Sequence, residues 1–133
     1  MIRFSRLFAS FGHALRGVVL VFKTEQSFRV QVVVAALTVG LAAWVNIRPS
    51  EWIVIILLIG GVLVLELANS VFERLVDTFK PRIHPAVHDM KDLMAGAVLI
   101  GSFVAAAIGL MIFVPYLLDL FSPFSDLDQL GLP

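Results

Sequence analysis

Glu66, Asn69, Ser70, Glu73 and Asp77 follow an apolar run, Ile53 to Leu65, at offsets of 3, 4, 7 and 11 from Glu66. At 100° per helical residue these five side chains fall within a sector of about 100°, a polar stripe at one end of an apolar helix. If that run crosses a bilayer, Glu66 lies roughly 10 Å inside the hydrocarbon edge and Glu73 about 10 Å further along the axis, near the headgroups. A carboxylate at that depth costs on the order of 2 to 3 kcal/mol or more to bury, so intramembrane acids mark function by default. Stripped of water it accepts a proton more readily, which suits Glu66 to general-base work. A protonated Glu66 that merely bonds another helix would not need Asn69 and Glu73 on the same face.

Glu25 precedes another apolar run at nearly the depth expected of Glu73. Two carboxylates at headgroup level could jointly hold Mg²⁺, a hard ion that bridges protein acids to substrate phosphates. Lys91 and Asp92 open a third apolar run, where Asp92 could cap a helix and Lys91 could meet a lipid or nucleotide phosphate. Other chemistries are missing from the sequence. Gly12 and Gly17 have Walker A spacing, but Val18 stands where the lysine belongs. There is no G-x-S-x-G elbow and no H-E-x-x-H pair. His13, His84 and His88 make no convincing zinc site, because Pro85 argues against a helix that would align the last two.

The elements that must position these groups follow from composition. The chain is 59% hydrophobic and 15% charged, with ten basic and ten acidic residues and no cysteine. That excludes a disordered segment, a disulfide scaffold, thiol chemistry and a basic nucleic-acid binder. The uncharged run from Leu93 to Leu118 is foreign to a soluble domain of this size, so an all-α integral membrane protein is predicted. Its spans are 30–47, 52–71 and 93–118, each offering roughly the 20 residues a bilayer needs. Arg48, Pro49, Ser50 and Glu51 join the first two as antiparallel neighbours, with Ser50 as cap. Glu73 to Asp92 reads as a polar loop after a helix end that extends into water.

Residues 1–23 carry Phe4, Leu7, Phe8, Phe11, Leu15, Val18 and Phe22 at helical spacing, with Arg3, Arg6, His13 and Arg16 largely elsewhere on the wheel. This predicts an amphipathic helix lying on the membrane surface rather than a signal peptide. Ala97, Gly101, Ala105 and Gly109 form a small-residue stripe expected to place the third span centrally against another helix. Lys and Arg are dense before the first span and in the second loop. The first loop has only Arg48 and the tail beyond Leu118 has none, which puts the N-terminus and second loop in the cytoplasm.

The run Glu66-Leu-Ala-Asn-Ser-Val-Phe-Glu73-Arg-Leu-Val-Asp77 resembles the E-L-x-N-[ST]-x-x-E-x-x-V-D signature of prokaryotic diacylglycerol kinases and their undecaprenol kinase relatives. His84-Pro85, Lys91-Asp92 leading into Ala95 to Ile100, Glu25 with Phe28, and His13 with Arg16-Gly17 add to the resemblance, which covers about residues 3–118. It implies a lipid kinase of the bacterial inner (cytoplasmic) membrane with three transmembrane helices and a surface helix. The assembly implied is a homotrimeric bundle with active sites shared between subunits and open to the cytoplasm. ATP is the implied co-substrate, with Mg²⁺ as cofactor and diacylglycerol or undecaprenol as lipid. By the same resemblance Glu66 is the general base and Asn69 positions the carboxylates or the phosphate. Glu25 and Glu73 are the metal ligands, and Arg6, His13, His84, Lys91 and Asp92 belong with them to the nucleotide site. Residues 1–118 would form the kinase domain. Met94 stands where relatives favour small residues, and the tail 119–133 runs past the usual family end. Two competing readings are a small proton-coupled transporter using Glu66 and an inactive packing subunit. The first would want its acid near the midplane, and the second would not keep Glu25, Glu66, Glu73, Lys91 and Asp92 together.

Overall fold

The computed structural model describes residues 4–78 and 85–121, and all of the described elements are helices: α1 Phe4–Thr24, α2 Gln26–Trp44, α3 Pro49–Thr78 and α4 Pro85–Phe121. All four are long and apolar enough to cross a membrane, α1 being the least apolar of them. α3 is the spine, packing against α1, α2 and α4.

Each break between helices has a local cause. Arg29 Nη1 donates to the carbonyls of Lys23 at 3.0 Å and Phe22 at 3.4 Å, satisfying the end of α1. Glu25 is extended there (φ −101°, ψ 121°) and forms the N-cap position of α2 without using its side chain as a cap. α2 ends where Asn46 takes the left-handed conformation (φ 55°), which lets Ile47 N–H reach back to Ala42 O at 3.2 Å. This is a Schellman ending, and Ile47 and Ala42 are both buried beside one another in the core. The first span is thus helical to Trp44 rather than to Ile47, and it starts four residues before Val30. α3 starts on Pro49, whose fixed φ and missing N–H suit a first helical position. The cap expected of Ser50 is supplied instead by Glu51, whose Oε2 accepts Arg48 N–H at 2.8 Å.

The stretch 73–92 is helical wherever it is described, since α3 runs to Thr78 and α4 begins at Pro85. Pro85 opens α4 rather than preventing a helix. Lys91 and Asp92 therefore sit about two turns inside it, and Asp92 is not its cap. α4 flanks the spine rather than occupying the centre. Of its small-residue stripe, a Cβ on Gly101 would come 2.6 Å from Leu65 Cδ1, while Gly109 faces open space.

The tightest packing lies at the α2–α3 turn, where Ala42, Ile47, Ile55 and Phe113 are buried with Trp52 and Tyr116 against them. Elsewhere the helices present apolar side chains outward, Phe103 and Met111 being 76% and 77% exposed. Such a surface is untenable in water and suits a protein whose solvent is lipid.

Candidate functional site

The polar stripe of α3 sinks into the fold at one end and emerges at the other. Glu66 is 4% exposed and Ser70 is 2% exposed. Asn69 and Glu73 are half-buried, and Asp77 is exposed. Helical spacing alone puts these residues in line, and the packing of α1, α2 and α4 around α3 grades their burial. Ser70 Oγ donates to the Glu66 carbonyl at 2.9 Å, so its hydroxyl serves the backbone. Asn69 Oδ1 is buried with no hydrogen-bond partner.

Glu25 reaches this stripe because the break between α1 and α2 falls on it. Its carboxylate is left free by the cap geometry and is taken by Arg74 of α3, with Nη2 3.0 Å from Oε1. Arg74 Nη2 also donates to Thr24 Oγ1. From the other side Lys91 of α4 brings Nζ within 3.7 Å of Glu73 Oε1. Glu73 lies seven residues beyond Glu66, about two turns along the same helix. Three carboxylates from two elements thus share one end of the bundle, with one cation set against each of the two outer acids.

Of the residues singled out from the sequence, the fold gathers Glu25, Glu66, Asn69, Glu73 and Lys91 at one end of the bundle. Arg6, His13 and Asp92 are exposed, and among the described residues no hydrogen bond or ion pair joins them to the carboxylates. His13 Nδ1 is instead 3.0 Å from Arg16 Nη2. His84 lies outside the described residues, as does the tail from 122 onward. Sequence reasoning missed Arg74 and Thr24. Arg74 stands beside Glu73 in the signature, but a step of 100° takes it off the stripe, and only its reach to Glu25 reveals a role.

Beside this cluster an apolar cleft of about 590 Å³ opens between α2 and α4 over α3. It runs from Val30 and Gln31 to Phe113, and its α3 wall includes Leu63, about one turn before Glu66. Gln31 Oε1 on its wall is buried without a hydrogen-bond partner. The arrangement offers a long apolar slot, a withdrawn carboxylate close to it, and two further acids nearer the helix end.

Comparison with known proteins gives a single answer. Residues 12–113 match the family described as prokaryotic diacylglycerol kinase. The chain is 38% identical to an undecaprenol kinase of Bacillus subtilis over 113 residues, which are 85% of this chain and 92% of that one. It is 28% identical to a diacylglycerol kinase of Escherichia coli over 102 residues, 77% of this chain and 84% of the relative. A diacylglycerol kinase of Helicobacter pylori is 33% identical over 98 residues, 74% and 77% of the two chains.

Proposed function

This chain belongs to the prokaryotic diacylglycerol kinase family, and from that premise we propose that it transfers the γ-phosphoryl group of ATP to the hydroxyl of a membrane lipid, diacylglycerol or undecaprenol. The observation that carries this reading is the place of Glu66, buried at 4% exposure and about one turn from the wall of an apolar cleft. The cleft suits a hydrocarbon chain, whose hydroxyl would then reach the acid from the apolar side. The nucleotide would approach from the outer acids. An interfacial site is the one depth at which a soluble nucleotide and an apolar alcohol can meet.

In this mechanism Glu66 takes the hydroxyl proton as the lipid oxygen bonds to the γ-phosphorus, and ADP leaves with the electrons of the broken P–O bond. Phosphoryl transfer needs in-line positioning and charge neutralisation more than covalent chemistry, so a scaffold of helices suffices. Asn69 would orient the carboxylates or the phosphate.

The residues present fit Mg²⁺. Glu25 and Glu73 supply anionic oxygens at the end of the bundle where Glu66 lies, and Asn69 Oδ1 is a buried oxygen without a donor. Among the described residues no group of three His, Cys, Asp or Glu side chains could enclose an ion. Mg²⁺ is commonly held by one or two carboxylates together with substrate phosphates, so a two-acid set suits it. Bound there, the ion would neutralise phosphate charge. Lys91, with Arg6, His13, His84 and Asp92, would complete the nucleotide site.

The same reading makes 1–118 the kinase domain. α2, α3 and α4 are its transmembrane helices, and α1 is a surface helix carrying Arg6, His13, Arg16 and Lys23 beside exposed Phe8 and Phe11. The distribution of Lys and Arg supports a cytoplasmic N-terminus and active site in the bacterial inner membrane. A homotrimer would supply the walls that one chain lacks around a nucleotide, a metal and a lipid headgroup. All three acids lie at one end of the bundle, so the transporter alternative gains no support. The test is purified protein with Mg-ATP and either lipid alcohol in mixed micelles, following the terminal phosphate. Transfer to one or both alcohols is expected, and transfer to neither overturns the reading.

A further inference from the structure

We propose that Arg74 is a phosphate-binding residue, parked on Glu25 until the phosphates of a nucleotide arrive. The inference rests on the kinase reading above and adds a residue that the sequence did not single out.

A guanidinium is always charged and presents its N–H groups in a rigid planar fork. Its Nε and Nη2 share the edge that grips carboxylates and phosphates two-handedly. In this structure only half of that edge is used. Nη2 holds Glu25 Oε1 at 3.0 Å and donates to Thr24 Oγ1, while Nε is buried with no acceptor. Buried donors are nearly always matched in folded proteins, so an orphan N–H beside a substrate site points to an acceptor that comes with the substrate. Arg74 is also free to move to it, because its side chain is 40% exposed and Glu25 meets it through one oxygen.

The charges around it identify the acceptor. Glu25 is held by Arg74, and Glu73 is held loosely by Lys91 at 3.7 Å. If Glu25 and Glu73 exchange these partners for a divalent cation, Arg74 and Lys91 are released together, next to the anion that accompanies the metal. Three carboxylates would repel a bare phosphate, and the two freed cations would offset that repulsion. The ligand class is the diphosphate or triphosphate chain of a nucleotide, recognised by non-bridging oxygens along the Nε and Nη2 edge.

A purely structural role predicts something else, with Arg74 only pinning the α1–α2 junction to α3. The experiment compares full-length wild type, Arg74→Lys and Arg74→Ala in detergent micelles. Binding of ADP, pyrophosphate and adenosine is measured by calorimetry with and without Mg²⁺. A phosphate ligand requires both variants to lose at least about tenfold in affinity for ADP and pyrophosphate with Mg²⁺, with adenosine unchanged. Unchanged affinity of Arg74→Lys for both phosphates overturns the proposal, and that variant decides the matter if Arg74→Ala does not fold. A second arm uses Glu25→Gln without metal, which frees the guanidinium. Pyrophosphate should bind severalfold more tightly than to wild type, and the gain should vanish in Glu25→Gln/Arg74→Ala. An equal gain with and without Arg74 would overturn the proposal. Failure of wild type to phosphorylate either lipid alcohol, with Arg74-dependent pyrophosphate binding intact, would instead remove the kinase reading and leave the anion site standing.

Discussion

Tyr116 Oη donates to Glu51 Oε2 at 2.5 Å, so the far part of α4 is fastened to the first turn of α3. Arg48 N–H joins the same cluster, 2.8 Å from Glu51 Oε2 and 3.3 Å from Tyr116 Oη. The Tyr116 hydroxyl, and after it the Arg48 amide, hold the Glu51 carboxyl below its ordinary value of 4.5. A depressed carboxylate contributes stability that is present above the ordinary value and lost as pH falls through the depressed one. Tyr116→Phe should therefore lower the thermal midpoint in detergent at about pH 7, and the gap to wild type should close as the medium is acidified well below pH 4. A gap of the same size at both pH values would show that the ring's packing, not the bond to Glu51, matters. Catalysis should be spared, because Glu51 is fifteen residues from Glu66, about 22 Å along the helix.

At the other end of α3, Glu66→Gln should remove most turnover while leaving assembly intact. The amide keeps the shape of the side chain but cannot take the hydroxyl proton, and a general base contributes about 10²- to 10⁴-fold. The measurement is the transfer rate at saturating ATP and lipid, with size-exclusion profiles alongside. Near wild-type turnover would remove Glu66 from that role.

The stripe from Glu66 to Asp77 was legible because polar residues at helical spacing stand out against an apolar background. Glu25 was legible as the acid that precedes an apolar run. What local pattern could not show was where helices begin and end under tertiary constraint. Pro85 reads equally as a breaker and as a first helical residue, and Asn46 stops α2 only because Ile47 finds a buried place beside Ala42. Arg74 was hidden for another reason. Its partners Thr24 and Glu25 are about fifty residues away in sequence, and no spacing rule connects them. The small-residue stripe indicated close packing at four positions, of which Gly101 makes a tight approach and Gly109 lines the cleft.

Gly101 is accordingly a place where size should matter in steps. A methyl there would stand 2.6 Å from Leu65 Cδ1, the mobile end of a side chain, so Gly101→Ala should fold after a rotamer change. Gly101→Leu cannot be relieved that way and should cost about 1 to 3 kcal/mol through forced separation of α3 and α4. Because Leu65 adjoins Glu66, turnover should fall with stability. Thermal midpoints and rates for the two variants, measured together, check the order, and equal behaviour of both would show that the helices do not meet closely here.

Glu25→Gln and Glu73→Gln should each raise the Mg²⁺ concentration needed for half-maximal activity at fixed ATP, since each loses an anionic oxygen offered to the ion. Glu25→Gln should also loosen the junction of α1 and α2, because Arg74 loses its charged partner. Glu73→Gln should not, as its pair with Lys91 is long at 3.7 Å. Magnesium titrations with limited proteolysis near Thr24 separate the two effects. Unchanged metal dependence in both variants would contradict a shared-ligand site.

One chain gathers Glu25, Glu66 and Glu73 at one end of its bundle, yet it leaves the apolar cleft open and much of α4 exposed. In a trimer those surfaces would be covered by neighbours, and a site could draw Lys91 or a second chain's Glu25 from across the boundary. Mixing inactive Glu66→Gln chains with inactive Glu25→Gln chains discriminates the arrangements. If Glu25 and Glu66 of one site come from different chains, some mixed trimers hold a site with both acids intact, and co-refolded samples should recover a fraction of wild-type turnover. If both come from the same chain, every site keeps a defect and no activity returns. Turnover after co-refolding at equal amounts, with crosslinking to count chains, is the measurement. Mixed trimers without recovery assign the two acids to one chain, recovery assigns them to two, and monomers alone would end the shared-site reading.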